Sequence, residues 1–212
     1  MKQILTAVFV LLVLTAGLYA QGRSTDYNKG EVFVGWAGSV QQEDFVDASS
    51  LENGIEVAAV FNFHRYMGVK VDVSGTFKTL AGNYLPPAPA PPVPLGRYRA
   101  DHSLYNATAG IQFKNNRLDA KIRPFAHVLA GFGKHRDSFT TSCPAGAVCP
   151  PFDFDYNGFA FILGGGLDFK VSRHIDIRAI QVDLNTITHK DPNNNTVIFY
   201  TDRLSSGIVF KF

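Results

Sequence analysis

From Val69 to Lys78 the side chains alternate in character at every step, with Val69, Val71, Val73, Gly75 and Phe77 on one parity and Lys70, Asp72, Ser74, Thr76 and Lys78 on the other. Successive residues of a strand point to opposite faces, so a strand here has one apolar face and one charged face. Period-two alternation recurs in eight segments, 31–40, 54–64, 69–80, 102–114, 122–134, 157–170, 174–186 and 201–212. Each is long enough for a tilted membrane-crossing strand, which needs about 9 to 11 residues. Past the N-terminus no apolar run is long enough for a membrane helix. The expected fold is all-β, an eight-stranded antiparallel up-and-down transmembrane β-barrel. An even strand number lets the first strand pair with the last, so no backbone edge meets lipid.

The faces follow from cost. In the second segment Ile55, Val57, Ala59, Phe61 and Phe63 oppose Glu56, Ala58, Val60, Asn62 and His64; in the sixth, Phe159, Phe161, Leu163, Gly165, Leu167 and Phe169 oppose Ala160, Ile162, Gly164, Gly166 and Asp168. Charges placed toward lipid would cost about 2 to 4 kcal/mol for each basic residue at the midplane, so the apolar faces are expected outside. The seventh segment breaks the pattern, because Ile175, Ile177 and Ala179 share one parity while Ile180, Val182 and Leu184 share the other. A uniform register would turn Gln181 and Asp183 to lipid. A bulge near Ala179 restores the pattern by inserting one residue.

Connections alternate in length. The long ones are 41–53, 81–101, 135–156 and 187–200, and the short ones are 65–68, 115–121 and 171–173. Outer-membrane barrels have short periplasmic turns and longer external loops, which makes both termini periplasmic. A soluble lipocalin-like barrel also supplies eight strands but has less reason to gather every long loop at one end.

Residues 1–20 carry Lys2, an apolar run from Ile4 to Leu14 and smaller residues up to Ala20, the layout of a secretory signal peptide. A retained membrane helix would want about 20 apolar residues. The expected division is therefore a signal peptide over 1–20 and a barrel domain over 21–212. Of 20 Lys and Arg against 18 Asp and Glu, the leader holds only Lys2, so the remainder is nearly neutral and nothing points to nucleic acid.

At the other end, Leu204, Ile208, Phe210 and Phe212 share a parity in a segment that closes on an aromatic residue. This resembles the closing strand of bacterial outer-membrane barrels, where such a pattern is the recognition signal for the barrel-assembly machinery, and it makes Ile208, Phe210 and Phe212 the expected assembly signal. The stretch from Phe159 to Ala179, with its glycine run Gly164-Gly165-Gly166 and Arg178, resembles the OmpA-type outer-membrane β-barrel family, as does Ser206 to Phe212; Arg123-Pro124-Phe125 through Gly133 is similar to the family's fifth strand. The resemblance implies an eight-stranded barrel in the outer membrane, in contact with its lipids. Gln181 and Asp183 depart from the family's aromatic alternation. No peptidoglycan-binding domain follows Phe212, so cell-wall anchoring is not expected. A shared barrel does not fix an activity.

The interior of eight strands is small enough for side chains to fill. Glu56, Lys70, Asp72, Lys78, Asp168, Arg178 and Lys211, with His127 and Asp176, are the candidates for a lumen charge network in which opposite signs satisfy one another. A plug of ion pairs is the preferred reading; an ion path or gate is the alternative.

Catalysis and cofactors are not expected. Adjacent strand residues face opposite sides, so Asp101-His102-Ser103 does not form a hydrolase site unless the chain bends there, and His64, His127, His174 and His189 are scattered. Cys143 and Cys149, in a chain sent through an oxidising compartment, are expected to form a local disulfide. A metal there would want further ligands, and His135, the one nearby imidazole, lies in no motif. The proline-rich 86–94 favours an extended polyproline form, as a stiff spacer or a surface recognition segment. Phe63, Tyr66, Phe113, Phe169 and Phe212 at one end, and Phe77, Tyr84, Tyr105, Tyr156 and Tyr200 at the other, are expected to form two interfacial girdles. The expected role is non-enzymatic, structural or surface-interacting through external loops that hold a surface ligand or host factor; a narrow pore and a lipid-modifying barrel enzyme are the alternatives.

Overall fold

Eight strands, β1 (Gly30–Gln41), β2 (Glu52–His64), β3 (Met67–Tyr84), β4 (Gly96–Lys114), β5 (Ile122–Ser142), β6 (Phe152–Lys170), β7 (Ile175–Lys190) and β8 (Thr196–Lys211), form a closed antiparallel barrel in the computed structural model. The structure describes residues 27–41, 51–84, 96–142, 151–190 and 194–212, and no helix occurs among them. Each strand pairs with its chain neighbour. Closure comes from β1 and β8, with Val34 opposite Ile208 and Gly35 opposite Gly207. The Phe212 backbone N–H donates to the Gly30 carbonyl at 2.9 Å, and its own carbonyl accepts from Lys29 at 3.0 Å. Every strand therefore has two partners, as a cylinder in hydrocarbon requires.

The apolar side chains look outward. Val69, Val71, Val73 and Phe77 are exposed, whereas Lys70, Asp72, Ser74 and Thr76 are buried. In β6 the same holds for Phe159, Phe161, Leu163 and Leu167 against Ala160, Ile162 and Asp168. Phe132 is 77 % exposed while its neighbours Leu129 and His127 are sealed inside, an arrangement that suits lipid outside.

In β7 the alternation is repaired by a bulge at Ala179. Leu167 pairs with Ile180 but Asp168 pairs with Arg178, and on the other side Arg178 and Gln181 face Gly207 and Ser205. One additional residue enters β7 between them. Ala179 and Ile180 both face outward, after which Gln181 and Asp183 are buried and Val182 and Leu184 exposed.

The strands outrun the lengths expected from their patterns. β3, β4, β5 and β6 hold 18, 19, 21 and 19 residues, and much of the expected long connections is strand. The ladder continues with Asp101 opposite Ser138 and Arg136 opposite Asp155. Polarity inverts along these extensions. Outward positions now carry Arg99, Asp101, Lys134, Arg136, Asp153 and Asp155, paired as Arg99–Asp101 at 2.9 Å and Lys134–Asp155 at 3.1 Å. A search for outward apolar residues stops where the chain leaves the apolar belt, although the hydrogen bonding does not.

Aromatic residues ring that belt. Phe77 and Tyr105 meet edge to face at 5.5 Å on the side of the long connections, and Phe63, Tyr66, Phe113, Phe169 and Phe212 are exposed at the short-turn end. Tyr156 corrects the expected girdle. It lies in the extension beyond the belt and packs inward, against His135 and His189. The Tyr84 side chain, and Cys143 and Cys149 altogether, lie outside the described residues.

Candidate functional site

The lumen is built in layers from the inward positions of all eight strands. Arg203 of β8 is the hub of the middle layer. Its Nε and NH2 donate to Asp183 Oδ2 at 2.9 and 2.6 Å, and its NH1 donates to Asp72 Oδ1 at 3.0 Å and to Ser74 Oγ at 2.6 Å. Lys70 lies 3.1 Å from Asp72 and 3.4 Å from Glu56. Glu56 also accepts from Ser205 at 2.5 Å and from Gln181 at 2.9 Å.

Gln181 joins this layer to the next. Its amide nitrogen donates to Glu56 and to Asp183, and its carbonyl oxygen accepts from Arg178 NH1 at 2.6 Å. Arg178 donates to Asp168 at 2.9 and 3.2 Å and is sandwiched between the rings of Phe33 and Phe125, at 4.3 and 4.2 Å from their centroids. Room for the Phe33 ring is made by two glycines facing each other, since a Cβ on Gly35 would meet Phe33 Cζ at 2.5 Å and one on Gly207 would meet Phe33 Cε2 at 3.0 Å. Lys114 bridges Asp168 and Glu31, both at 2.6 Å. Nearest the short turns, Arg123 and Lys211 share Asp176, and Arg123 also donates to the Arg117 carbonyl at 3.0 Å.

Six acids and six bases meet in these layers, and a seventh buried acid, Glu52, accepts hydrogen bonds from Ser39 at 3.2 Å and Thr76 at 2.8 Å. Glu31, Glu56, Asp72, Asp168, Asp176 and Asp183 meet Lys70, Lys114, Arg123, Arg178, Arg203 and Lys211, all buried. Burying an unpaired ion costs several kcal/mol, so a filled interior of this kind holds only when each charge has a partner. Toward the long connections the charges give way to Asn106, Asn185 and Thr201, and then to an apolar layer of Leu104, Ala160 and Ile187 with Phe199 packed on it. The lumen is thus closed by ion pairs below, and above them by this apolar layer together with Thr76, which stands opposite Leu104 and hydrogen-bonds the buried Glu52.

Of the residues singled out in the sequence, Glu56, Lys70, Asp72, Asp168, Arg178 and Lys211 lie in these layers, with His127 beside Asp183 at 3.0 Å. Lys78 stands apart. It is half-buried at the far end of β3, opposite His102, and takes no part in the network. Sequence reasoning missed Glu31, Lys114, Arg123, Asp183 and Arg203. Parity was the available signal for Lys114, which shares a face with His102 in β4, and for Arg203, which shares one with Lys211 in β8. Which carboxylate each would meet is a matter of register. Ile208, Phe210 and Phe212 line the outward face of the closing strand.

Next to the apolar layer, toward the mouth, lie groups that the sequence left scattered. His102 of β4 stands opposite Asp137 of β5, and His135 lies two residues before Asp137 on the same face. His102 Nδ1 is 2.6 Å from Asp137 Oδ1, and His135 Nε2 is 3.3 Å from the same oxygen. Ser103, on the opposite parity to His102, does not join them, so Asp101-His102-Ser103 assembles no nucleophile and base. Beyond the mouth, on the outer wall, the Arg99 guanidinium hydrogen-bonds Asp101, with help from Thr79, and holds its carboxyl below the usual aspartate range.

Fold and interior together define the class: a small closed barrel, apolar outside, whose lumen is filled by charge pairs. Solved structures with this fold include two crystal structures of Ail, the attachment invasion locus protein of Yersinia pestis. The one in complex with the heparin analogue sucrose octasulfate is 16 % identical, covers 88 % of this chain and 99 % of that chain, and superposes with a TM-score of 0.57. The other is 18 % identical over the same shares, with a TM-score of 0.54. No family model matches the chain, and no curated protein matches it.

Proposed function

We propose that this is a small integral protein of a bacterial outer membrane, without enzymatic activity, that spans the bilayer and presents surface segments for interaction. The observation that carries this is the pairing of an apolar exterior with a lumen closed by the Arg203, Arg178 and Asp176 ion-pair clusters, which leaves spanning and presentation as the physical work available. Residues 1–20 serve as the secretory signal and 21–212 as the barrel domain. The OmpA-type pattern of 159–179 and 206–212 supports the outer-membrane address, and Ile208, Phe210 and Phe212 are what the barrel-assembly machinery reads. The short turns and both termini lie in the periplasm. The hairpins extended by β3 to β6, polar outside, stand in the external water with the loops they carry. Cys143 and Cys149 close a local disulfide in one of those loops.

Ail, which shares the fold, has been crystallised in complex with a heparin analogue, and this supports a ligand-binding role without fixing the ligand. Fractionation of expressing cells, followed by gels of boiled and unboiled membrane samples, tests the reading. A heat-dependent mobility shift in the outer-membrane fraction, with loops cut by protease added to whole cells, is expected; a soluble periplasmic species would refute it.

A further inference from the structure

We propose that His102, His135 and Asp137 form a binding site for a divalent transition-metal ion at the long-connection mouth of the barrel. Their candidate ligand atoms all lie within 4.8 Å of one another. A tetrahedral Zn²⁺ with bonds of about 2.0 to 2.2 Å sets its ligand atoms roughly 3.3 to 3.5 Å apart. The present separations to Asp137 Oδ1 are 2.6 Å from His102 and 3.3 Å from His135, so an ion enters by small side-chain adjustments, with no change of strand register.

Packing fixes the ring orientations. His135 lies 4.8 Å from the Phe199 ring and stacks on Tyr156 at 6.4 Å, and His102 meets Phe139 edge-on at 5.9 Å. The three side chains are 18 %, 4 % and 15 % exposed in the order His102, His135, Asp137, sheltered from bulk water yet reachable from the mouth. The site abuts the layer of Leu104, Ala160 and Ile187, with Leu104 directly opposite His135. An ion held here exchanges with the outside and does not pass through the lumen.

Ligand type selects the ion. Two imidazoles and one carboxylate suit Zn²⁺, Cu²⁺ or Ni²⁺, whereas Mg²⁺ and Ca²⁺ prefer all-oxygen shells. Three protein ligands leave a fourth position turned to the mouth, open to water or to a donor from a surface ligand. Neighbouring cations are mostly engaged elsewhere: Arg99 with Asp101, Lys134 and Arg136 with Asp155. Lys78 is the exception. It stands opposite His102 and opposes a dication. The competing reading is a purely structural cluster in which Asp137 only hydrogen-bonds the two rings.

The test uses the tag-free full chain refolded in detergent, titrated with Zn²⁺ in competition with a chromogenic chelator, with folding of each variant checked by its heat-dependent gel shift. One saturable site is expected, insensitive to excess Mg²⁺. His102→Ala, His135→Ala and Asp137→Asn should each weaken it at least about tenfold, whereas His64→Ala and His174→Ala leave it unchanged and Lys78→Met tightens it. No saturable site, or a site that survives the first three substitutions in folded protein, overturns the proposal. Should a cluster variant fail to fold, the Lys78→Met and Mg²⁺ results decide: affinity unmoved by Lys78→Met, or lost to Mg²⁺, equally overturns it.

Discussion

Asp183 and Arg203 face each other directly across β7 and β8, and the guanidinium donates two hydrogen bonds to a single carboxylate oxygen, at 2.6 and 2.9 Å. Asp183 can be there only because the bulge at Ala179 has turned it from the lipid side to the lumen. A backbone irregularity and a buried ion pair are thus one feature.

Arg203→Met leaves Asp183, Asp72 and Glu56 short of a positive partner in a closed space. Removing one member of a buried pair typically costs about 3 to 5 kcal/mol. Urea unfolding of the refolded barrel should show a loss of that order, and adding Asp72→Leu and Asp183→Leu should recover part of it. A change under about 1 kcal/mol would mean that water reaches these charges.

Deletion of Ala179 removes the one residue that β7 holds in excess of its neighbours. Ile180 then follows Arg178, the alternation runs unbroken, and Asp176, Arg178, Gln181 and Asp183 all stay inward. The deleted chain, like Ala179→Ser, should keep its heat-dependent gel shift; loss of the shift on deletion would mean that the bulge itself is needed for folding.

A lumen filled from the Asp176 cluster up to Leu104 predicts little or no steady current in planar bilayers. A stable conductance that changes with Lys70→Met, Asp72→Asn or Arg178→Met would favour the narrow-pore alternative.

Asp101 gives a pH signature with a defined sign. Its folded carboxyl is held below the ordinary value by Arg99, so its contribution is present above the unfolded value and is lost as pH falls through the lowered folded value. The pair is exposed and screened, so the effect is small. Urea midpoints of Asp101→Asn and the parent should differ slightly at neutral pH, and the difference should shrink as pH falls through the lowered carboxyl value; a difference that grows on acidification would contradict the assignment.

Phe212→Ala should lower the amount of heat-shiftable protein in the outer membrane of cells while leaving refolding in detergent nearly unchanged, since its side chain is outward and its backbone carries the pairing to Gly30. Equal loss in both assays would make Phe212 a stability residue and not an assembly signal.

The outer wall was legible in residues such as Val69, Val71, Phe159 and Leu163 because period-two alternation is a local property, and a lipid-facing cylinder imposes it on every strand. Even the β7 irregularity showed, as a change of parity between Ala179 and Ile180. The extensions of β3 to β6 were less legible. There the outward positions turn polar, at Arg99, Asp101, Asp153 and Asp155, and the pattern used to find strands reverses while the ladder goes on.

By itself the order of residues determined which side chains face lipid and which face inward, because that depends only on parity and the cost of charge in hydrocarbon. Only the tertiary structure decided who meets whom: Arg203 with Asp72, 131 positions away, Lys114 with Glu31, 83 away, and His102 with Asp137, 35 away. Those encounters follow from strand register and barrel closure, which bring distant segments to within a hydrogen bond and leave no trace in local periodicity.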